Sequence, residues 1–301
     1  MHKAEEERAW ASLEEKLYVC LQDEILEISE NCARHTPFSG AVSLCAGDND
    51  LYCADAAGAL WRFDRETMME RAVGSSGPGV SDMCLSAGRE RLFSLLGEAD
   101  SILMSDAHTC RPLAVNRCGC NPQNLSRCGE IIAVSGGESS CVYLFSAQTL
   151  DCIARIPTPG PACSALLDTQ AMYALCLTAE LNSILFVRQS EGERLYALEG
   201  MPGCLSRLGE NIHIFTAGKQ YLFLPASERL MGMRSAPGRA HRICCGWGKI
   251  YLQDPLSESI WVSENGRSWR RQYQGVKDMF FYRGPFSEDL FTNTEKCGII
   301  S

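Results

Sequence analysis

The chain has 301 residues, 46% of them hydrophobic, which is enough to bury a sizeable core and suits one large all-β domain as well as two average ones. Its formal charge of −9, from 37 acidic and 28 basic residues, opposes both a phosphate backbone and an anionic bilayer, so nucleic acid and membrane are excluded as general partners. No apolar run approaches the roughly 18 residues of a membrane span.

The opening residues, MHKAEEERAWASLEEK, place acidic residues where a secretory signal needs an apolar run. Residues 1–15 read instead as a short helical extension. The 17 cysteines are odd in number, and several, such as Cys20, Cys53 and Cys176, sit inside apolar strand patterns. Free cysteine behaves there as a small buried hydrophobe. Together these features predict a cytoplasmic protein whose thiols stay reduced.

From residue 16 to 283 the chain repeats itself. One series of short β-type runs begins at Leu17, Leu51, Leu92, Ile131, Met172, Ile212 and Ile250, with a period of about forty residues. A second trails it, beginning at Ile25, Leu60, Ile102, Val142, Ile184, Tyr221 and Ile260. Turn residues such as Gly47-Asp48 and Gly136-Gly137 punctuate the strands. A third strand follows each pair, then a Gly/Pro connection such as Gly77-Pro78-Gly79 or Gly160-Pro161, then a fourth, inner strand such as Val80 to Leu85. Four antiparallel strands per repeat make a propeller blade. Lys16 to Phe38 supplies three strands but no inner one, and Gly275 to Phe281 reads as a spare inner strand. The prediction is an all-β, seven-bladed propeller with its ring closed by a composite blade from both termini, followed by a C-terminal tail over 284–301.

One stretch, residues 124–166, reads NLSRCGEIIAVSGGESSCVYLFSAQTLDCIARIPTPGPACSAL. Its order of strand, turn, strand, Thr-Leu corner, strand and Gly-Pro connection resembles the bacterial YVTN-type (YncE-like) propellers, which are related to seven-bladed lactonases. Ile132-Ala133-Val134-Ser135 and Tyr173-Ala174-Leu175-Cys176 stand where the tetrapeptide would be. The resemblance implies a seven-bladed ring over roughly residues 41–280 and leaves function open, since one architecture hosts binders, scaffolds and enzymes.

Polar residues fall near the start of each inner strand: Ser43, Asp82, Asn124, Ser164, Ser206, Arg242 and Asp278, with His241 as a neighbour. Convergent polar groups in a concavity define the default ligand site, here a solvated channel mouth. Asp82, Asn124 and Asp278 offer oxygen to a hard cation, but Arg242 can neutralise the carboxylates directly; no metal and no cofactor are assigned. Cys118-Gly119-Cys120 has a metal-like spacing with His108 and Cys110 upstream, yet an extended strand between the pairs holds them too far apart for one zinc. Walker, Rossmann, nucleophile-elbow and H-E-x-x-H patterns are absent from the sequence. The expectation is a non-catalytic binding or scaffold protein recognising a protein or small ligand at the mouth; the alternative is a lactonase-like hydrolase acting in the channel.

Overall fold

A computed structural model describes residues 15–29, 32–264, 266 and 268–282, apart from the side chains of 233, 234, 281 and 282. The expected helix over 1–15, Glu15 excepted, and the tail over 284–301 lie outside the described residues. Seven sheets of four antiparallel strands form a ring.

Blade I joins β1 (Lys16–Cys20), β2 (Glu24–Ile28) and β3 (Ala33–Pro37) to β28 (Asp278–Tyr282), which pairs with β1. Blade II holds β4 (Ala41–Ala46), β5 (Asp50–Asp55), β6 (Ala59–Asp64) and β7 (Glu70–Ser75). Blade III holds β8 (Val80–Leu85), β9 (Arg91–Leu96), β10 (Ser101–Asp106) and β11 (Pro112–Arg117). Blade IV holds β12 (Pro122–Cys128), β13 (Ile131–Gly136), β14 (Cys141–Ser146) and β15 (Cys152–Pro157). Blade V holds β16 (Ala162–Leu167), β17 (Ala171–Leu177), β18 (Ser183–Gln189) and β19 (Gly192–Leu198). Blade VI holds β20 (Pro202–Leu208), β21 (Asn211–Thr216), β22 (Lys219–Leu224) and β23 (Arg229–Ser235). Blade VII holds β24 (Arg242–Gly246), β25 (Lys249–Asp254), β26 (Ser259–Ser263) and β27 (Arg270–Gln274). Inner strands of successive blades touch all the way round, and β28 contacts both β24 and β4, so the composite blade closes the ring as the sequence predicts.

The hydrophobic pattern explains the layering. Second strands are sandwiched between neighbouring blades and are buried on both faces, so they read as continuous apolar runs, as in Arg91–Leu96. Outer strands have one wet face, and β7 and β11 alternate in exposure. The core is accordingly a set of inter-blade clusters; one packs Phe93 and Leu95 of blade III against Ile132, Val134 and Phe145 of blade IV.

A corner recurs between third and outer strands. Asp64, Asp106 and Ser146 each accept the backbone N–H three residues on, from Thr67, Thr109 and Thr149. The next residues, Met68, Cys110 and Leu150, donate their N–H back to the carbonyl of that capping residue at 2.7–2.9 Å and adopt a left-handed backbone with φ of 56–64°. Their side chains are buried, and this burial holds the otherwise unfavourable backbone conformation in place. Threonine's amide and hydroxyl both hold the carboxylates of Asp64 and Asp106 below the usual aspartate range. Blades also approach closely: a Cβ added at Gly74 would lie 1.9 Å from the Cys110 carbonyl oxygen, so only glycine fits there.

Candidate functional site

Strand register identifies one equivalent position on all seven inner strands. It pairs Ser43 with Ala54, Asp82 with Leu95, Asn124 with Ser135, Ser164 with Leu175, Cys204 with Phe215, Arg242 with Gln253 and Asp278 with Cys20. In five blades a bulge immediately precedes it, after Ala41, Val80, Pro122, Ala162 and Pro202. Such a bulge re-aims the following side chain. Six of the seven positions are those singled out in the sequence. In blade VI the position belongs to Cys204, and Ser206 lies two residues farther along β20. A search for polar residues passes over a cysteine; the Pro-x opening that Pro202–Cys204 shares with Pro122–Asn124 was the available signal. His241 sits on the surface just before β24, its N–H bonded to the Gln253 carbonyl at 2.9 Å.

Four of these side chains stitch one blade to the next. Asp278 Oδ2 accepts the Leu44 N–H at 2.9 Å, and Asp82 Oδ2 accepts that of Leu125 at 2.9 Å. Asn124 Oδ1 accepts the Ala165 N–H at 2.8 Å, and Ser164 Oγ that of Leu205 at 3.2 Å. Ser126 repeats the device lower in the seam between blades IV and V, accepting from Leu167 N at 2.9 Å. Ser43 Oγ is buried with no hydrogen-bond partner among the described residues. Buried amides need acceptors, and these contacts provide them where no strand pairs across the seam.

Arg242 does something different. One terminal nitrogen donates to Asp82 Oδ1, and the other lies 3.3 Å from Asp278 Oδ2 and 3.4 Å from the Met279 carbonyl. Arg242 belongs to blade VII and Asp82 to blade III, three steps apart in a ring of seven and as far apart as such a ring allows. The side chain therefore crosses the central axis. The three side chains keep only 17%, 11% and 5% of their surface. This corrects the expectation of a solvated mouth: the charged groups are largely withdrawn from water and bound to one another.

The electrostatics follow from that burial. Desolvation pushes the Asp278 carboxyl up to about 6, against the pull of Arg242 and the Leu44 amide. For Arg242, burial works to lower the pKa, but Asp278 and then Asp82 hold it above its usual value. Every carboxylate oxygen is engaged: Asp82 Oδ1 also accepts from Met83 N at 2.9 Å, and Asp278 Oδ1 from Met279 N at 2.8 Å. The carboxylates thus face Arg242 rather than an open cation site. Cys118 and Cys120 lie buried beside one another, their turn held by Asp100, whose carboxylate accepts from Gly119, Cys120 and Asn121. The hydrogen bond between the two thiols and their burial raise the pKa of Cys118 strongly, which suits an inert packing role. The sixteen cysteines among the described residues are all unbridged.

No protein-family model matches the chain, and no curated protein matches it in sequence. Solved structures do match in shape. A functionally unknown protein from Desulfotomaculum acetoxidans superposes with a TM-score of 0.70 at 10% identity, over 90% of this chain and 99% of that one. Hydrazine synthase of Kuenenia stuttgartiensis gives 0.63 at 11% identity, over 74% and 76%. The computationally designed Ika8 protein gives 0.62 at 10%, over 85% and 83%. At these identities the likeness establishes the fold class, a seven-bladed β-propeller, and nothing finer.

Proposed function

We propose that this chain is a non-catalytic binding propeller of the cytoplasm that recognises a protein or small ligand at the mouth framed by Asp82, Asn124, Arg242 and Asp278. The observation that carries this reading is the guanidinium held across the axis by two carboxylates. A lactonase-type mechanism requires a base or metal ligand with lone pairs aimed at a reacting atom. Here the oxygens of both carboxylates are committed to backbone amides and Arg242. Recognition is the better use of such a group: a ligand carboxylate can replace Asp82 on the guanidinium, and a ligand donor can satisfy the Asp82 oxygen it releases. The ligand class is therefore one bearing both a carboxylate and a hydrogen-bond donor. The organisation of residues 124–166 supports a place among YVTN-type propellers, and the many unbridged thiols support a reducing compartment.

The test is calorimetric titration of the folded protein with a panel of small dicarboxylates, amino acids and carboxylate-ended peptides, alongside affinity capture of metabolites from cell extract. Arg242→Lys keeps the charge but loses the two-pronged donor geometry, and should weaken capture by about tenfold or more. Full capture by folded Arg242→Lys and Arg242→Gln alike would move the site away from the mouth.

A further inference from the structure

We infer that the outer edge of blade III is a docking strand for an acidic, extended peptide segment of a partner protein, independently of the axial site. The sheet order β11-β10-β9-β8 leaves one side of β11 without a paired strand. An open edge is a template for strand addition, with backbone bonds giving affinity and side chains giving specificity. Leu113 and Val115 are 54% and 65% exposed on this strand, so its apolar side chains are offered to solvent. Arg111 and Arg117 bracket them and are also exposed.

Charge decides what fits. On three other outer strands an arginine is engaged: Arg71 pairs with Asp50 and Asp64, Arg194 with Glu228, and Arg155 lies over the Tyr143 ring. Arg111 and Arg117 make no ion pair among the described residues. The carboxylates of the two turns nearest them in sequence are turned onto backbone, Asp106 onto Thr109 and Asp100 onto Gly119, Cys120 and Asn121. A chain of net charge −9 thus presents two uncompensated cations at the ends of an apolar strip. A second copy of the chain fits poorly. Antiparallel pairing of two copies brings Arg111 of one toward Arg117 of the other across the bulge at Leu113, and like charges facing one another are destabilising. An extended peptide with carboxylates at both ends and β-branched residues between satisfies the strip.

The probe is a capped heptapeptide with glutamate at both ends and valine at the third and fifth positions, compared with the same peptide carrying lysine ends. Binding is followed by fluorescence anisotropy, and its location by amide exchange over residues 114–117. Saturable binding of the glutamate peptide is expected, with protection rising on β11. Affinity should fall about tenfold or more in Arg111→Glu/Arg117→Glu, which should in turn favour the lysine peptide. Leu113→Thr/Val115→Thr, which leaves the charges in place, should weaken both. Unaltered urea midpoints confirm that these surface variants fold. Absence of saturable binding, affinity indifferent to the charge reversal, protection elsewhere, or a solution dimer paired through β11 would each overturn the proposal.

Discussion

The buried carboxyl of Asp278 makes a quantitative claim about pH. Its pKa is about 6 in the folded ring and about 3.9 in an unfolded chain. The folded state therefore holds the proton more tightly, so the contribution is fully present below pH about 3.9 and is lost as pH rises through about 6. Between pH 5 and pH 8 the loss amounts to about 1–2 kcal/mol for this one group. Other acids titrate over the same range, so the comparison is with Asp278→Asn, which removes the titration while keeping one oxygen for the Leu44 amide. Urea unfolding at the two pH values should show the wild type losing about 1–2 kcal/mol more than the variant on going from pH 5 to pH 8. Equal losses, or a wild type that gains relative to the variant as pH rises, would refute the claim that desolvation outweighs Arg242 at this carboxyl.

Other expectations concern how the blades are joined. Gly74→Ala drives a Cβ into the Cys110 carbonyl at 1.9 Å and should cost about 1–3 kcal/mol, whereas Gly88→Ala, with nothing within 4 Å, should be near neutral by the same urea measurement. Asn124→Ala leaves the Ala165 amide without its acceptor and should lower stability by about 1–3 kcal/mol; a smaller effect would mean that water replaces the amide oxygen. Ending the chain after Val276 removes β28, uncovers the edge of β1 and takes one carboxylate from Arg242; the urea midpoint should fall sharply, and an unchanged midpoint would deny β28 its closing role.

Much of this fold is written locally. The two strand series land on the second and third strands of every blade, because second strands are buried on both faces and third strands keep apolar residues at the blade contacts, both at a fixed interval. The Asp64, Asp106 and Ser146 corners are equally legible, since side-chain capping followed by threonine is a short-range device. Closure by β28 was legible from a missing strand at one end and a spare one at the other. The site was legible in residue identity but not in state. Arg242 facing the carboxylates followed from charge, whereas its burial, the reach to Asp82 and the seam bonds to Leu44, Leu125 and Ala165 depend on contacts between residues far apart in the chain. Cys204 was hidden by its chemistry: the position carries a thiol in blade VI, and a search for polar residues passes over it to Ser206, two residues on.

The account turns on Arg242 meeting Asp82 across the axis, and a double-mutant cycle measures that contact directly. Arg242→Met, Asp82→Asn and the double variant are unfolded in urea at pH 7 beside the wild type. A buried charge pair with one partner removed loses about 3–5 kcal/mol, and the two losses should overlap rather than add, leaving a coupling energy above about 1.5 kcal/mol. Losses that simply sum, with coupling near zero, would show that the two blades do not meet through these side chains.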